Sequence, residues 1–309
     1  MRCVVTGGAG FIGSNLVEAL LGARHSVAIV DDFSTGRREN IAPFAKRIDL
    51  FEGDIRDDAL LSSAFAGAEV IFHQAALASV ARSVESPYVS HDSNASGTLK
   101  VLVAAKNARA RRVVYASSSS VYGDTPVLPK VEDMKVRPLS PYAVAKLAGE
   151  YYCGIFPALY GLETVALRYF NVFGPRQDPK SEYAAVVPLF ITGVLDGRAV
   201  CIHGDGEQSR DFTFVENVVQ ANLLAATSVN ASGETFNVGV GESTTVNELY
   251  RTICDIAGRR PDAQHTGTRA GDVRDSLADI RKARRLMGYD PRIRLREGLT
   301  RTVEYFRGC

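Results

Sequence analysis

The stretch Gly7-Gly8-Ala9-Gly10-Phe11-Ile12-Gly13 follows the apolar run Cys3-Val4-Val5 and opens a helical stretch to about Leu21, after which Val27-Ala28-Ile29-Val30 leads into Asp31. The order is strand, glycine turn, helix, strand, with glycines at 7, 10 and 13 in the spacing G-x-x-G-x-x-G. Bare backbone at these positions lets a pyrophosphate reach a helix N-terminus, where free N–H groups and the helix dipole favour an anion. Glycines alone are weak evidence. Set between strand and helix, with an acid 18 residues after Gly13 at the end of the second strand, they mark a dinucleotide site. Asp31, with Asp32 beside it, is expected to take the adenosine ribose hydroxyls and to repel a 2′-phosphate, which favours NAD over NADP. Arg37 and Arg38 follow closely and are read as solvated loop residues.

Further along, Gly53-Asp54-Ile55-Arg56-Asp57 follows a short strand near 49–52, and Asp54, with Ile55, is expected at the adenine. The buried strand Val70-Ile71-Phe72-His73 ends in Gln74-Ala75-Ala76, small residues suited to backbone packed close to a ligand. His73 alone at a strand end reads as a structural hydrogen-bonder. A helix from Asn94 to about Ala108 and the strand Arg112 to Ala116 continue the alternation, which gives an α/β fold with a Rossmann-type doubly wound parallel sheet. Ligands bind such sheets at the carboxyl ends of the strands, where the glycine turn, Gln74 to Ala76 and the run Ser117 to Ser120 all fall.

Ser140-Pro141-Tyr142-Ala143-Val144-Ala145-Lys146 comes next. Ser140 is a helix N-cap and Pro141 suits the first helical position, so Tyr142 and Lys146 lie one turn apart on one face. A phenol of pKa ~10 becomes a base at neutral pH only if lowered by roughly three units, about 4 kcal/mol. A positive charge ~4 Å away at an effective dielectric of ~20 is worth about that much. The spacing by itself also arises by chance on surface helices.

Composition bounds the alternatives. The chain has 309 residues, 46% apolar and 23% charged, enough for one large core and a smaller lobe, and its formal net charge of +1 offers no footprint for nucleic acid or a membrane surface. The cysteines at 3, 153, 201, 254 and 309 are scattered and lack C-x-x-C spacing, which argues against zinc and a disulfide framework and for reduced thiols in a cytoplasm. No apolar run is long enough to span a bilayer, so a cytoplasmic enzyme without metal is expected.

Taken in order, the glycine turn, Asp31, Asp54, Asn94 with Gly97-Thr98, the serines before Val121-Tyr122-Gly123, Tyr142/Lys146 and Arg168-Tyr169-Phe170-Asn171 resemble the extended short-chain dehydrogenase/reductases of the nucleotide-sugar 4-epimerase kind. The resemblance covers essentially the whole chain. It implies Ser118 on the sugar 4-oxygen with Ser119 and Ser120 as auxiliaries, Tyr142 as base, and Lys146 as its electrostatic partner and ribose ligand. It implies cofactor contacts from Gly7, Gly10, Phe11, Ile12, Gly13, Asp31, Asp32, Asp54, Ile55, Gln74, Ala75, Ala76, Asn94 and Tyr169. It implies a UDP-sugar held by Ser79, Asn171, Arg210, Arg269 and Asp272, with Ala185 and Val186 at the uracil and His203 near an aromatic position of several members. Two arginines suit bidentate recognition of a diphosphate.

The same scaffold also carries out dehydration and decarboxylation. The dehydratases it resembles follow the active hydroxyl with Asp-Glu, and this chain has Ser119-Ser120, so the expected chemistry stops at reversible oxidation of C4 through a 4-keto sugar. Ser276 matches a position that is large and aromatic or small in related epimerases. Its small side chain leaves room for a 2-acetamido group, implying UDP-GlcNAc/UDP-GalNAc as well as UDP-glucose/UDP-galactose. The alternatives are a UDP-glucuronate 4-epimerase or decarboxylase, for which Arg82 is the candidate cation, and a non-catalytic NAD-binding sensor. The expected organisation is an NAD-binding domain over 1–170, with part of 210–238 returning to it, and a smaller α/β C-terminal substrate lobe over 171–309. The resemblance further implies a homodimer through helices near 94–108 and 142–160, although Leu99, Val101, Leu102 and Val103 read equally as core.

Overall fold

Alternation along the first strands sets up two cores at once. Cys3 and Val5, then Val27 and Ile29, face one layer, while Val4, Ala28 and Val30 face the other. A strand buried on both faces needs helices on both sides, the condition for an all-parallel sheet. The computed structural model of the protein describes residues 1–179, 185–267 and 273–308. Its main sheet has seven parallel strands, in the spatial order Glu234–Val238, Glu163–Tyr169, Arg112–Ser118, Val70–His73, Arg2–Thr6, Ser26–Asp31 and Ile48–Glu52. The chain winds outward first in one direction and then in the other. The reversal falls between Arg2–Thr6 and Val70–His73, so the crevice of a doubly wound sheet opens above these two strands.

The helix Phe11–Gly22 starts at Gly10, and Pro141–Tyr160 starts as its sequence indicates, with Ser140 Oγ accepting from the Ala143 N–H at 3.2 Å. The latter helix packs Ala143, Ala145, Lys146, Gly149, Glu150, Cys153 and Phe156 against the strands at 112–118 and 163–169. Gly149 permits that approach, since a Cβ there would stand 2.4 Å from the Tyr115 hydroxyl oxygen. Pro157 interrupts the helical ladder because it has no N–H for the carbonyl of Cys153. The Thr164 hydroxyl donates to that carbonyl instead, and the helix runs on to Tyr160.

The expected helix at 94–108 begins earlier. Helical turns at Val80–Glu85 and Pro87–His91 lead through the π-turn Asp92–Ser96 into Gly97–Asn107. Ser79 and Ser86 with Pro87 supply the starts. The strand Glu234–Val238 pairs with Glu163–Tyr169, so the chain after 171 returns to the main sheet. A separate core around Phe173, Phe190, Ile191, Phe214, Leu249 and Leu299 builds the smaller lobe. Two-residue strands there, Ser209–Arg210, Thr244–Thr245 and Asp275–Ser276, form a small sheet with no sequence periodicity to announce it. Among the described residues, no helix is long and apolar enough to cross a membrane.

Candidate active site at the carboxyl ends of the strands

Gly7 lies at the switch point with φ +69°, and a Cβ there would fall 2.6 Å from the Ala75 nitrogen. The loops after Arg2–Thr6 and Val70–His73 therefore touch through bare backbone. At Gly13 a Cβ would stand 2.1 Å from the Gly7 oxygen, whereas at Gly10 it would meet only that oxygen, at 3.2 Å. Gly10 faces open space beside the helix start. The first helical hydrogen bond runs from Ser14 N–H to Gly10 O, which leaves the N–H groups of Phe11, Ile12 and Gly13 ahead of it without intrahelical acceptors. Donors, helix dipole and a cradle that a Cβ would fill fit the pyrophosphate of NAD.

A cleft of about 300 Å³ runs from this turn along the strand ends. Of the expected cofactor residues, Gly7, Gly10, Phe11, Ile12, Gly13, Asp31, Asp32, Asp54, Ile55, Gln74, Ala75, Ala76, Tyr142, Lys146 and Tyr169 line it. Asn94 is not among its lining residues. Its side chain instead clamps the backbone of Leu77, accepting from the N–H at 2.9 Å and donating to the carbonyl at 3.2 Å, and Ser93 lines the cleft. The π-turn carries Asn94 into the protein, where it shapes the wall without forming it. The loop Ser34-Thr35-Gly36 also lines the cleft, unanticipated, and its small residues directly after the second strand were the available signal.

The buried Asp31 carboxylate is partly committed, accepting from the N–H groups of Ala9 at 2.8 Å and Phe33 at 2.9 Å. Burial raises its pKa against the lowering effect of those two donors. Asp54 is gripped by Arg56, which holds its carboxyl below the usual range, and Arg56 also pairs with Asp92. His73 is buried and structural, as its sequence position suggested. Thr98 spends its proton on Asn94 O, so His73 Nε2–H donates to Thr98 Oγ1, and Thr6 Oγ1–H donates to Nδ1. Thr6 Oγ1 in turn accepts from the Ala75 N–H at 3.3 Å, tying the cleft wall to a neutral imidazole. Burial and the Lys146 charge push the His73 pKa down to about 3.

At the far end of the cleft, lined by Ser117, Tyr142 and Lys146, the Ser118 hydroxyl is the neighbour that favours the Tyr142 phenolate. Ser118 caps the short turn Ser119–Tyr122 and accepts from Ser120 through both backbone N–H, at 3.2 Å, and hydroxyl, at 2.9 Å. Lys146 Nζ donates to Ala116 O at 2.8 Å and stands 5.9 Å from the Tyr142 ring centroid. Burial pushes the Tyr142 pKa up, partly opposed by Ser118, and brings the Lys146 pKa down to about 8, opposed by Glu150 and Cys153. This differs from the helix-spacing arithmetic, which lowered the phenol. Spacing counted the ammonium but not the desolvation of both groups.

On the lobe side, register places Ser276 directly opposite Arg210, and Arg210 donates to the carbonyls of Ser209 and Arg274 at 2.8 Å each. Asn171, at φ +31°, donates to the Asp211 carbonyl at 3.3 Å, which brings it beside Arg210. Asp211 is wholly buried. It accepts from Val240 N–H at 2.8 Å, Gly241 N–H at 2.9 Å and Ala278 N–H at 3.2 Å, and burial raises its pKa to about 6. Ser79 is spent as the cap of Val80–Glu85. His203 is exposed and hydrogen-bonded to Thr266, while Ala185 and Val186 stand at the start of the helix Val186–Leu195, outside the cleft lining. Arg82, the candidate glucuronate cation, is exposed. Arg269 and Asp272 lie outside the described residues.

Comparison with known proteins joins these features. Residues 3–239 match the model of the NAD dependent epimerase/dehydratase family. The chain is 43% identical over 312 residues to the UDP-glucose 4-epimerase of Mycolicibacterium smegmatis, covering 99% of each. The solved UDP-glucose 4-epimerase of Thermotoga maritima with UDP-glucose superposes with a TM-score of 0.95 at 40% identity, over 100% of this chain and 99% of that one. The UDP-N-acetylglucosamine 4-epimerase of Methanobrevibacter ruminantium, in complex with UDP-N-acetylmuramic acid, has a TM-score of 0.95 at 41% identity, over 99% and 98% of the two chains. A glycine turn, seven-stranded sheet and Tyr142–Lys146 helix in this order, matched over nearly the full length, make the chain a member of the NAD dependent epimerase/dehydratase family.

Proposed function

We propose that the chain interconverts UDP-hexoses differing in configuration at C4, both UDP-glucose with UDP-galactose and UDP-N-acetylglucosamine with UDP-N-acetylgalactosamine, through a transient 4-keto sugar. One observation carries the reading: Tyr142 and Lys146 line the cofactor cleft one helical turn apart, packed beside a turn whose side chains at 118–120 are hydroxyls only. Bound NAD supplies the acceptor that takes the C4 hydride and later returns it. Tyr142, as phenolate, accepts the 4-hydroxyl proton, and Ser118 holds that hydroxyl in line. Lys146 as ammonium stabilises the phenolate and, seated on Ala116 O, keeps its place as the proton moves. After the sugar turns over, Tyr142 gives the proton back on the opposite configuration. Elimination at C5 and C6 needs an acid and a base beside Ser118, where Ser119 and Ser120 stand, so the cycle stays at C4.

In this reading the main sheet with its helices, roughly 1–170 plus the returning strand, carries NAD, and the lobe after 171 carries the sugar nucleotide. Arg210, with Arg269, clamps the diphosphate, Asn171 supports it from its turn, Asp272 takes the uridine ribose, and Ser276 borders the sugar. Support comes from the pairing of Ser276 with Arg210 and from relatives named for both UDP-glucose and UDP-N-acetylglucosamine. A second copy of the chain is expected to cover the apolar row Val144, Tyr151, Ile155 and Leu159, together with Val84 and Tyr88 on the adjoining turns, all exposed. Val101 and Leu102 are plain core, unlike Val103, which is exposed. Among the described residues, Cys3, Cys153, Cys201 and Cys254 are free thiols, which supports a reducing compartment, the cytoplasm.

The test is incubation of the purified protein with UDP-glucose, UDP-N-acetylglucosamine and UDP-glucuronate, followed by product separation. The C4 epimers of the two neutral sugars are expected. No epimer from either would end this reading, and carbon dioxide released from the glucuronate would replace it with the decarboxylase. Tyr142→Phe should abolish turnover with NAD still bound.

A further inference from the structure

Helical steps of four continue past the catalytic pair: Tyr142, Lys146, then Glu150. Glu150 is buried and receives three donors, the Ser117 hydroxyl, Arg168 Nε at 2.9 Å and Arg168 Nη2 at 2.7 Å. Arg168 Nη1 continues to the Tyr122 hydroxyl at 2.8 Å, and that hydroxyl donates to Asn237 Oδ1 at 2.7 Å. Ser117 is the neighbour of Ala116, whose carbonyl seats Lys146 Nζ. One carboxylate thus fixes the strand end that anchors the lysine and lies one turn from it on the same helix.

Among the described residues, the groups around Lys146 leave Glu150 alone as its anion. Tyr115, whose ring centroid lies 5.1 Å from Nζ, is a phenol pushed well up by burial, and Cys153 is a thiol pushed up likewise. His73, across the sheet, is neutral. On the turns packed along the helix, Arg82, Glu85, His91 and Asp92 are exposed, and Asp92 is paired with Arg56. Lys100 and Lys106 on the next helix engage Asp58 and the Tyr160 ring. Arg168 lies on Glu163–Tyr169 and reaches Lys146 only through Glu150.

We propose that Glu150 is a positioning residue for the Tyr142–Lys146 pair: its carboxylate, locked between Ser117 and Arg168, is the fixed anion that keeps the buried Lys146 side chain charged and seated on Ala116. An ammonium taken out of water favours its neutral form unless a counter-charge is held nearby. Arg168 holds that counter-charge still, and its link through Tyr122 to Asn237 braces it from the last strand of the sheet. The inference rests on the reading of Tyr142 and Lys146 as the catalytic pair.

The test is a titration of Lys146 in the holoenzyme by ¹³Cε-lysine NMR, with the resonance assigned through Lys146→Arg, beside the pH profile of kcat. Glu150→Gln should move the Lys146 midpoint down by about one to two units, the size expected for removing one charge at the ~6 Å spacing of helix positions four apart at an effective dielectric of ~20. The alkaline limb of kcat should follow it. Glu150→Asp, which keeps the charge, should restore most of the shift. If Glu150→Gln fails to fold around an unpaired arginine, Glu150→Gln with Arg168→Gln removes both charges and should still give a smaller downward shift. An unmoved Lys146 midpoint in whichever of these variants folds overturns the proposal. A moved midpoint with an unmoved limb leaves Glu150 as assigned and defeats the catalytic reading of Lys146.

Discussion

Asp211 joins three parts of the sugar side without touching the cofactor cleft, so Asp211→Asn separates the two halves of the site. The substitution keeps an oxygen for Val240 and turns the other oxygen into an N–H donor facing the N–H groups of Gly241 and Ala278. Two hydrogen bonds to a charged acceptor are lost, about 1.5–3 kcal/mol each. Against that, burial raises the carboxyl from 3.8 to about 6, a net cost of about 3 kcal/mol at 1.36 kcal/mol per unit, fully present above pH 6, relieved as pH falls from about 6 towards 3.8 and gone below it. That net cost already contains the hydrogen bonds to the carboxylate, and the neutral amide escapes it, so the destabilisation is at most about 3 kcal/mol and the variant folds. Its effect falls on position: Ala278 follows Ser276 by two residues, and Ser276 pairs with Arg210 next to Asp211. Loss of the tie should raise KM for the UDP-sugar about tenfold, the equivalent of ~1.4 kcal/mol, while NAD content after purification stays at the wild-type level. In the wild type the same loosening should appear on acidification through about pH 6, and in the variant that dependence should vanish. Steady-state kinetics from pH 5 to 8 with chromatographic NAD quantitation decide it. An unchanged KM, or a parallel loss of NAD, refutes the reasoning.

Gly13→Ala places a Cβ 2.1 Å from the Gly7 oxygen and should cost about 1–3 kcal/mol and most of the bound NAD, whereas Gly22→Ala, with nothing within 4 Å, should keep both; NAD released on denaturation measures the difference. His73 is held near pKa 3, so the unfolded chain takes its proton below about 6.5 while the folded chain does not, and stability must fall with pH in that window. Urea unfolding at pH 7 and 5 should show about 2 kcal/mol more loss in the wild type than in His73→Gln, and equal losses would contradict a neutral imidazole. Ser276→Tyr should suppress the N-acetylated substrates selectively, and an equal loss on UDP-glucose would count against a volume gate.

Local signals were legible where the physics is local. Ser140 and Pro141 located a helix start, and the glycine turn with Asp31 located the cleft, because capping and backbone freedom act within a few residues. What escaped depends on distant chain. The Tyr142 phenol is pushed up because it is buried, a fact that no helix spacing contains. Asn94 turns inward within the π-turn Asp92–Ser96 and spends its amide on the Leu77 backbone, while the neighbouring Ser93 meets the cleft. Ser276 and Arg210 are paired through two-residue strands, far too short for an alternating pattern. Glu150 lay in view at the next helical step, but its meaning needed Arg168 and Ser117 from two other strands.

The choice of NAD over its 2′-phosphate follows from charge at the end of Ser26–Asp31. Two carboxylates, Asp31 and Asp32, line the cleft there, and an anion brought beside them needs a cation to accompany it. The two nearby arginines are engaged elsewhere. Arg38 pairs with Glu52 at 2.6 Å and lies over the Phe33 ring, and Arg37 reaches Glu39 and Asp178. Asp31 is itself pinned by the Ala9 and Phe33 N–H groups, and a Cβ at Gly36 would stand 2.6 Å from its oxygen, so any larger residue at 36 would press on the carboxylate. The carboxylate is fixed by the same glycine-rich backbone that cradles the pyrophosphate, since Ala9 belongs to that turn. Phosphate binding and ribose selection are then one structure: a substitution that moves the turn displaces the acid, and freeing the acid loosens the turn.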